Sequence, residues 1–245
     1  MRELEEEVVV ITGGSSGIGK AVAELALEEE AKVAVLDLES SKNELNTSFY
    51  KTDVSVESEV SAAFFRIRQE IGPVTGLVNN AGVSPRATSS EEINGSEIMR
   101  TFAINVFGAM YCTKYALKQM REAGHGSIVN VASVIGPVGS KNSSIYAASK
   151  SALIGATKAD AVTYATENIR VNAVLPGYVK TPLIEKAALD SGDREAFYRN
   201  LEARHPVGRL AEANEVAEVI IFLLSKRASF VTGALYSVDG GYLSL

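Results

Sequence analysis

"VVVITGGSSGIGKAVAEL", residues 8–25, decides the fold. An apolar, β-branched run passes through a glycine-rich turn straight into small and apolar residues at helical spacing. Where a strand runs into a helix, unpaired backbone N–H groups and the positive helix end attract a pyrophosphate. Glycine removes the side chains that would block its approach. The spacing is Gly13-x-x-x-Gly17-x-Gly19, with Ser15, Ser16 and Ile18 between, and not the commoner G-x-G-x-x-G. Taken alone, a tight turn that needs positive φ accounts for such glycines equally well.

Outward from this stretch, short β-branched runs alternate with helical ones. Strands are predicted near 8–12, 32–37, 48–51, 75–79, 127–132, 169–174 and 234–238, with helices between most of them. "EVVVIT" and "GLVN" are apolar on both faces, as a buried parallel sheet requires. Right-handed crossovers then give an α/β, doubly wound Rossmann fold: one domain over residues 1–245, with a seven-stranded, mostly parallel sheet, helices on both faces and ligands beyond the strand C-termini. Residues 180–208 break the alternation with charge, Gly and Pro, and are predicted to form a helical substrate flap over the sheet edge.

Composition narrows the partners. The 245 residues are 46% apolar and carry a net charge of −6, without the clustered Lys and Arg that nucleic acid requires. The N-terminus is acidic where a signal peptide is basic. The longest later apolar run, "VIIFLL" from 219, has helix-core length only, so a cytoplasmic protein without a membrane span is expected. Cys112 stands alone, and His125 and His205 are too far apart for a metal cluster, so no disulfide and no metal are expected.

Asp37 ends the strand "KVAVLDL", 18 residues past Gly19. A carboxylate there accepts hydrogen bonds from the adenosine ribose and repels a 2′-phosphate. Leu38 follows, and neither Ser15 nor Ser16 supplies a cation, so NAD is expected rather than NADP. A rival lies in the same turn, because Gly13-Gly14-Ser15-Ser16-Gly17 also satisfies the G-x-S-x-G nucleophile elbow of serine hydrolases, with His125 or His205 as base. That reading is disfavoured because no strands precede Ser15 to build a hydrolase sheet.

"IYAASKSAL", residues 145–153, places Tyr146 and Lys150 one helical turn apart on one face, separated by small residues. Free tyrosine titrates near 10, too high for a base at neutral pH. An ammonium ~4 Å away favours the phenolate by a few kcal/mol, which lowers the tyrosine pKa by about two to three, less what burial takes back. Tyr146 is therefore expected as the proton acceptor.

Over Val8 to Gly241 the chain resembles the short-chain dehydrogenase/reductase family. The resemblance rests on "TGGSSGIG" at 12–19, "TDVS" at 52–55, "NNAG" at 79–82, Asn105, Ser133, "YAASK" at 146–150, "PG" at 176–177, Thr181 and "VDGG" at 238–241. It implies a nicotinamide-dependent enzyme that interconverts a hydroxyl and a carbonyl. In its terms Asp53 meets the adenine, Asn79 lies beside the cofactor ribose and Thr181 binds the nicotinamide carboxamide, and Val54, Ala81, Gly82, Pro176, Gly177 and Val179 also contact the cofactor. Asp53 as a helix cap and "NNAG" as a turn remain open alternatives.

By the same resemblance, Lys150 hydrogen-bonds the nicotinamide ribose, and Asn105 holds a water chain that carries the proton from lysine to solvent. Ser133 stands the family's distance before Tyr146, where its hydroxyl holds the substrate oxygen and stabilises its developing charge. Ser143 and Ser144 read as caps.

The substrate is assigned to "VIGPVG" at 134–139, "SPRATSSEEING" at 84–95 and the flap after Tyr178. Val134, Ile135 and Val138 read as an apolar wall or as core. Arg86 reads first as a solvent-facing loop residue and second as a partner for an anionic substrate. An NAD-linked dehydrogenase of a secondary alcohol, polyol or sugar is the preferred function, ahead of a 3-oxoacyl-[acyl-carrier-protein] reductase and a non-catalytic NAD-binding protein. The resemblance also implies a homotetramer, paired through the helices near 97–122 and 144–166.

Overall fold

A computed structural model of the chain describes residues 3–40 and 46–245; Met1 and Arg2 of the acidic opening stretch lie outside the described residues. Seven strands form one sheet: β1 Val8–Thr12, β2 Lys32–Asp37, β3 Ser48–Lys51, β4 Gly76–Asn79, β5 Gly126–Val131, β6 Ile169–Pro176 and β7 Leu235–Val238. Their order is β3-β2-β1-β4-β5-β6-β7, and every pairing is parallel, so the expected "mostly parallel" sheet is parallel throughout the described residues. The order reverses between β1 and β4, which opens a crevice beyond their C-terminal ends.

Residue alternation along β1 builds the two layers. Val9 and Ile11 pack on one face against α1 (Gly17–Glu28) and α8 (Ala213–Leu224). Val8 and Val10 pack on the other against Phe64 and Ile67 of α2 (Glu57–Glu70) and Met120 of α4 (Ala109–Ala123). Helix α5, Ser144–Tyr164, lies against β6 and delivers Tyr146 and Lys150.

Two local expectations change, and a third gains detail. The helix predicted near 97–122 is α3 (Gly95–Phe102) joined to α4 by a π-helical segment, Ala103–Gly108, that contains Asn105. Such a wide turn at one place in a long helix has no periodicity of its own to announce it. Ser143 stands at the N-cap of α5 but donates to Lys141 O at 3.3 Å and makes no capping bond. Ser144 is the first residue of the helix itself. Residues 180–208 hold two short helices, α6 Pro182–Asp190 and α7 Arg194–Glu202, tied together by Glu185, which accepts from Arg194 Nε at 2.9 Å and Tyr198 Oη at 2.7 Å. Both ends of this segment are pinned at one point, where Val179 bridges Ala211. No helix among the described residues is long and apolar enough to cross a membrane.

Candidate active site

The glycine turn is closely packed on every side. Gly13 and Gly17 take φ of 63° and 54°, which favour glycine. A Cβ on Gly19 would stand 2.2 Å from Gly13 O, so α1 seats directly on the turn. Thr12 Oγ1 accepts from the N–H groups of Asn80 and Ala81, each at 3.0 Å, and Asn80 Nδ2 donates to the carbonyls of Thr12 and Gly13, also at 3.0 Å. Asp37 reaches across from β2: its carboxylate accepts from Ser15 N at 3.0 Å and Leu38 N at 2.7 Å.

These residues fit a dinucleotide. Ser15 Oγ is buried without a hydrogen-bond partner. The first turn of α1 holds no acid, and Ser16 at its N-cap makes no side-chain cap, so its N–H groups remain open to an anion. Thr181 closes the cradle: a Cβ on Gly17 would meet its Cγ2 at 3.2 Å, and its hydroxyl does not cap α6.

Other expected contacts divide. Asn79 is buried, and its Nδ2 donates to Thr113 and Asn130 at 3.0 and 2.8 Å, while its Oδ1 has no partner among the described residues. The side chain on the glycine turn belongs to Asn80, which sequence reasoning missed because two adjacent asparagines at a strand end point to opposite faces and only the register says which. Asp53 accepts from Ser55 N and Oγ at 2.9 and 2.6 Å in a local turn; the N-cap of α2 is Val56, so Asp53 is not the helix cap kept open as its alternative. Val54 packs against Gly108, where a Cβ would lie 2.9 Å away, and Ile18 and Ala81 pack on the two core clusters. Pro176 and Val179 are buried, and Gly177 lies over His205.

The four proposed catalytic residues converge beyond the C-terminus of β5. Ser133 is buried two residues past the strand; its Oγ accepts from Ile135 N at 3.2 Å and faces the Tyr146 phenol, leaving the hydroxyl proton to donate. Lys150 is 4% exposed, donates to Val131 O at 2.7 Å, and holds Nζ 5.7 Å from the Tyr146 ring centre. Asn105 accepts from Val83 N at 2.8 Å and donates to Val83 O at 2.9 Å and Ser149 Oγ at 3.1 Å. Its side chain thus brackets the "NNAG" loop against α5.

The electrostatics correct the expected balance. Burial pushes Tyr146 up to about 12, with Ser133 lowering it and Tyr178 raising it, and burial pushes Lys150 down to about 8. Desolvation is the largest influence on each member of the pair.

No histidine serves Ser15. His205 is buried with Nδ1 on Leu201 O at 2.9 Å and Nε2 on Tyr178 N at 3.1 Å, a neutral ring bonded to backbone at both nitrogens. His125 meets Glu7 and Ala123 O beside the start of β5, at the opposite end of the sheet. The serine-hydrolase alternative is therefore set aside.

Relatives agree with this geometry. The family model described as Enoyl-(Acyl carrier protein) reductase matches residues 13–243. The chain is 41% identical to cis-4-hydroxycyclohexanecarboxylate dehydrogenase of Sinomonas cyclohexanicum over 98% of each chain. Among solved structures, it superposes on ligand-free aldohexose dehydrogenase of Thermoplasma acidophilum with a TM-score of 0.94 at 37% identity, over 98% of this chain and 95% of the other. It superposes on ElxO with NADP bound with a TM-score of 0.91 at 36% identity, over 98% and 100%. With the crevice, the glycine turn and this full-length similarity in agreement, the chain belongs to the short-chain dehydrogenase/reductase family.

Proposed function

We propose that the protein is an NAD(H)-linked oxidoreductase that interconverts a secondary alcohol, on a ring, polyol or sugar, with its ketone. The observation that carries this is Ser133 facing the Tyr146 phenol beside the buried Lys150. When bound, the dinucleotide supplies or takes the hydride. Ser133 donates to the substrate oxygen and holds it at Tyr146. In reduction, Tyr146 retains its proton through neutral pH and passes it to the oxygen, which becomes a far stronger base as hydride arrives. In oxidation, Tyr146 accepts the hydroxyl proton. Lys150, still charged at neutral pH, favours that ionised phenol, and a positive nicotinamide adds to it. Asn105 acts as a positioning residue, and residues 180–208 as the substrate flap.

Tyr146→Phe is expected to lower turnover by about a thousandfold while the dinucleotide Kd stays within a few-fold, read by nicotinamide absorbance and calorimetry. Near-normal turnover would remove Tyr146 from the mechanism.

Asp37 supports NAD, since one of its oxygens meets the glycine turn at Ser15 N, the other accepts from Leu38 N, and Lys20, the cation next to the turn in sequence, pairs with Glu24 at 3.6 Å. Asp37→Ala is expected to cut the NAD-over-NADP ratio of kcat/KM by about tenfold. Equal use of both by the unmutated protein would refute the assignment. A second reading is reduction of a β-ketoacyl thioester by the same residues; the matched family description shares with it only the acyl-carrier-protein substrate, since an enoyl reductase reduces a carbon–carbon double bond. A panel of ring alcohols, sugars and such thioesters separates the two.

We assign the protein to the cytoplasm and to a homotetramer. Exposed Met99, Phe107 and Met110 along α3 to α4, and Val162 on α5, support the tetramer.

A further inference from the structure

We infer that the substrate carries an anionic group, a carboxylate or sulfonate, away from its carbinol carbon, and that Arg204 binds it; this rests on the oxidoreductase reading and names its substrate class. Seven of the described arginines face a carboxylate. Arg170 commits its guanidinium to the carbonyls of Leu223, Leu224 and Ser225. Of the described arginines that remain without a carboxylate, Arg100 lies on α3, whereas Arg86 and Arg204 both border the ground around Tyr146.

Arg204 follows α7 at the end of the flap. Its Nη1 donates to Tyr178 Oη at 3.2 Å, and its guanidinium carbon stands 5.8 Å from the Tyr178 ring centre. That ring is itself fixed, edge-on to His205 at 5.7 Å and to Tyr242 at 6.3 Å. Tyr178 belongs to the active site: it lies two residues past Pro176, whose carbonyl accepts from Val134 N, next to Ser133, at 3.1 Å. Its hydroxyl faces Ser140 and is close enough to Tyr146 for the two ionisations to oppose each other.

Arg204 is thus an exposed guanidinium seated on a rigid phenol, with most of its fork unspent. Such a fork matches an oxyanion in two-point geometry, and little side-chain freedom is lost on binding. Arg86 shares the wall of a small neighbouring pocket with Tyr146, but the Glu97 carboxylate accepts from its backbone N–H at 3.4 Å, which leaves Arg204 as the open guanidinium.

The test compares kcat/KM for 4-hydroxycyclohexanecarboxylate and its neutral carboxamide. The unmutated protein is expected to favour the carboxylate by about 30-fold, chiefly through KM. Arg204→Gln should bring the ratio within about threefold of one, and Arg204→Lys should restore part of it. A ratio near one in the unmutated protein, or an equal loss on both substrates in the variant, overturns the inference. Calorimetry with non-reacting cyclohexanecarboxylate, in the presence of dinucleotide, separates this from the oxidoreductase reading. Arg204-dependent binding without turnover of either alcohol leaves the anion site standing and sinks the reaction, whereas turnover with Arg204-independent binding does the reverse.

Discussion

The glycine turn and the loops around Tyr146 border one crevice but are built differently, and their glycines show how. On the cofactor side, a Cβ on Gly13, Gly14 or Gly19 would meet another atom at 3.0 Å or less. On the substrate side, a Cβ on Gly136, next to Ser133, would still meet Ile154 Cδ1 at 2.6 Å, but farther out one on Gly95 or Gly139 would meet nothing within 4 Å, and Val138 and Leu183 stand 40% and 45% exposed. Backbone geometry holds the part of the ligand that many enzymes share. Replaceable side chains on open loops hold the part that is particular to one.

The sharpest way to break this contrast is Gly19→Ala. Its Cβ would lie 2.2 Å from Gly13 O and 2.5 Å from Asn80 Nδ2, so the turn must move. Dinucleotide binding should fall below detection in calorimetry, and stability by about 3 kcal/mol or more in denaturant unfolding. Normal binding would mean that the close packing is incidental.

Lys150, where the two halves meet, gives the next largest effect. Its pKa falls to about 8, so protonated lysine is less favourable in the fold than in the unfolded chain. Below pH 8 it is charged in both states and the penalty, about 3 kcal/mol, is present in full. Stability contributed by this group rises as pH climbs from 8 towards the unfolded value near 10.5. Lys150→Met should therefore be inactive yet more stable at pH 7 by about 2 kcal/mol, after about 1 is subtracted for the lost bond to Val131 O. That advantage should disappear above pH 10.5. A variant less stable at pH 7 would show that the buried ammonium holds the fold together instead of burdening it.

The smallest effect tests the open side. Gly139→Ala should change stability by no more than about 0.5 kcal/mol and leave dinucleotide binding as it was. A large loss would show that the loop after Ser133 is as constrained as the glycine turn.

Much of this was legible in the chain because it depends on short-range pattern. All seven strands lie within two residues of their predicted bounds, since a doubly buried strand writes itself as an unbroken apolar run bounded by turns. The glycine turn, Asp37 at the end of β2, and the one-turn spacing of Tyr146 and Lys150 follow equally from local periodicity. Asn79 and Asn80 show the limit: composition marks the pair, but only the end of β4 and its register with β5 decide which one turns inward. Arg204 and Tyr178 are 26 residues apart and meet only because the segment 180–208 returns to its own root at the bridge between Val179 and Ala211.

By itself the sequence determined the parallel α/β architecture, the glycine turn after the first strand and the one-turn spacing of Tyr146 and Lys150, all properties of neighbours along the chain. The tertiary structure decided how strongly each group is desolvated and what faces it: Tyr146 near 12 instead of below 10, Lys150 near 8, His205 locked to backbone, Arg204 left open. Spacing sets the distance between two charges, but the dielectric around them is set by every distant segment that packs there, and that quantity is absent from local pattern.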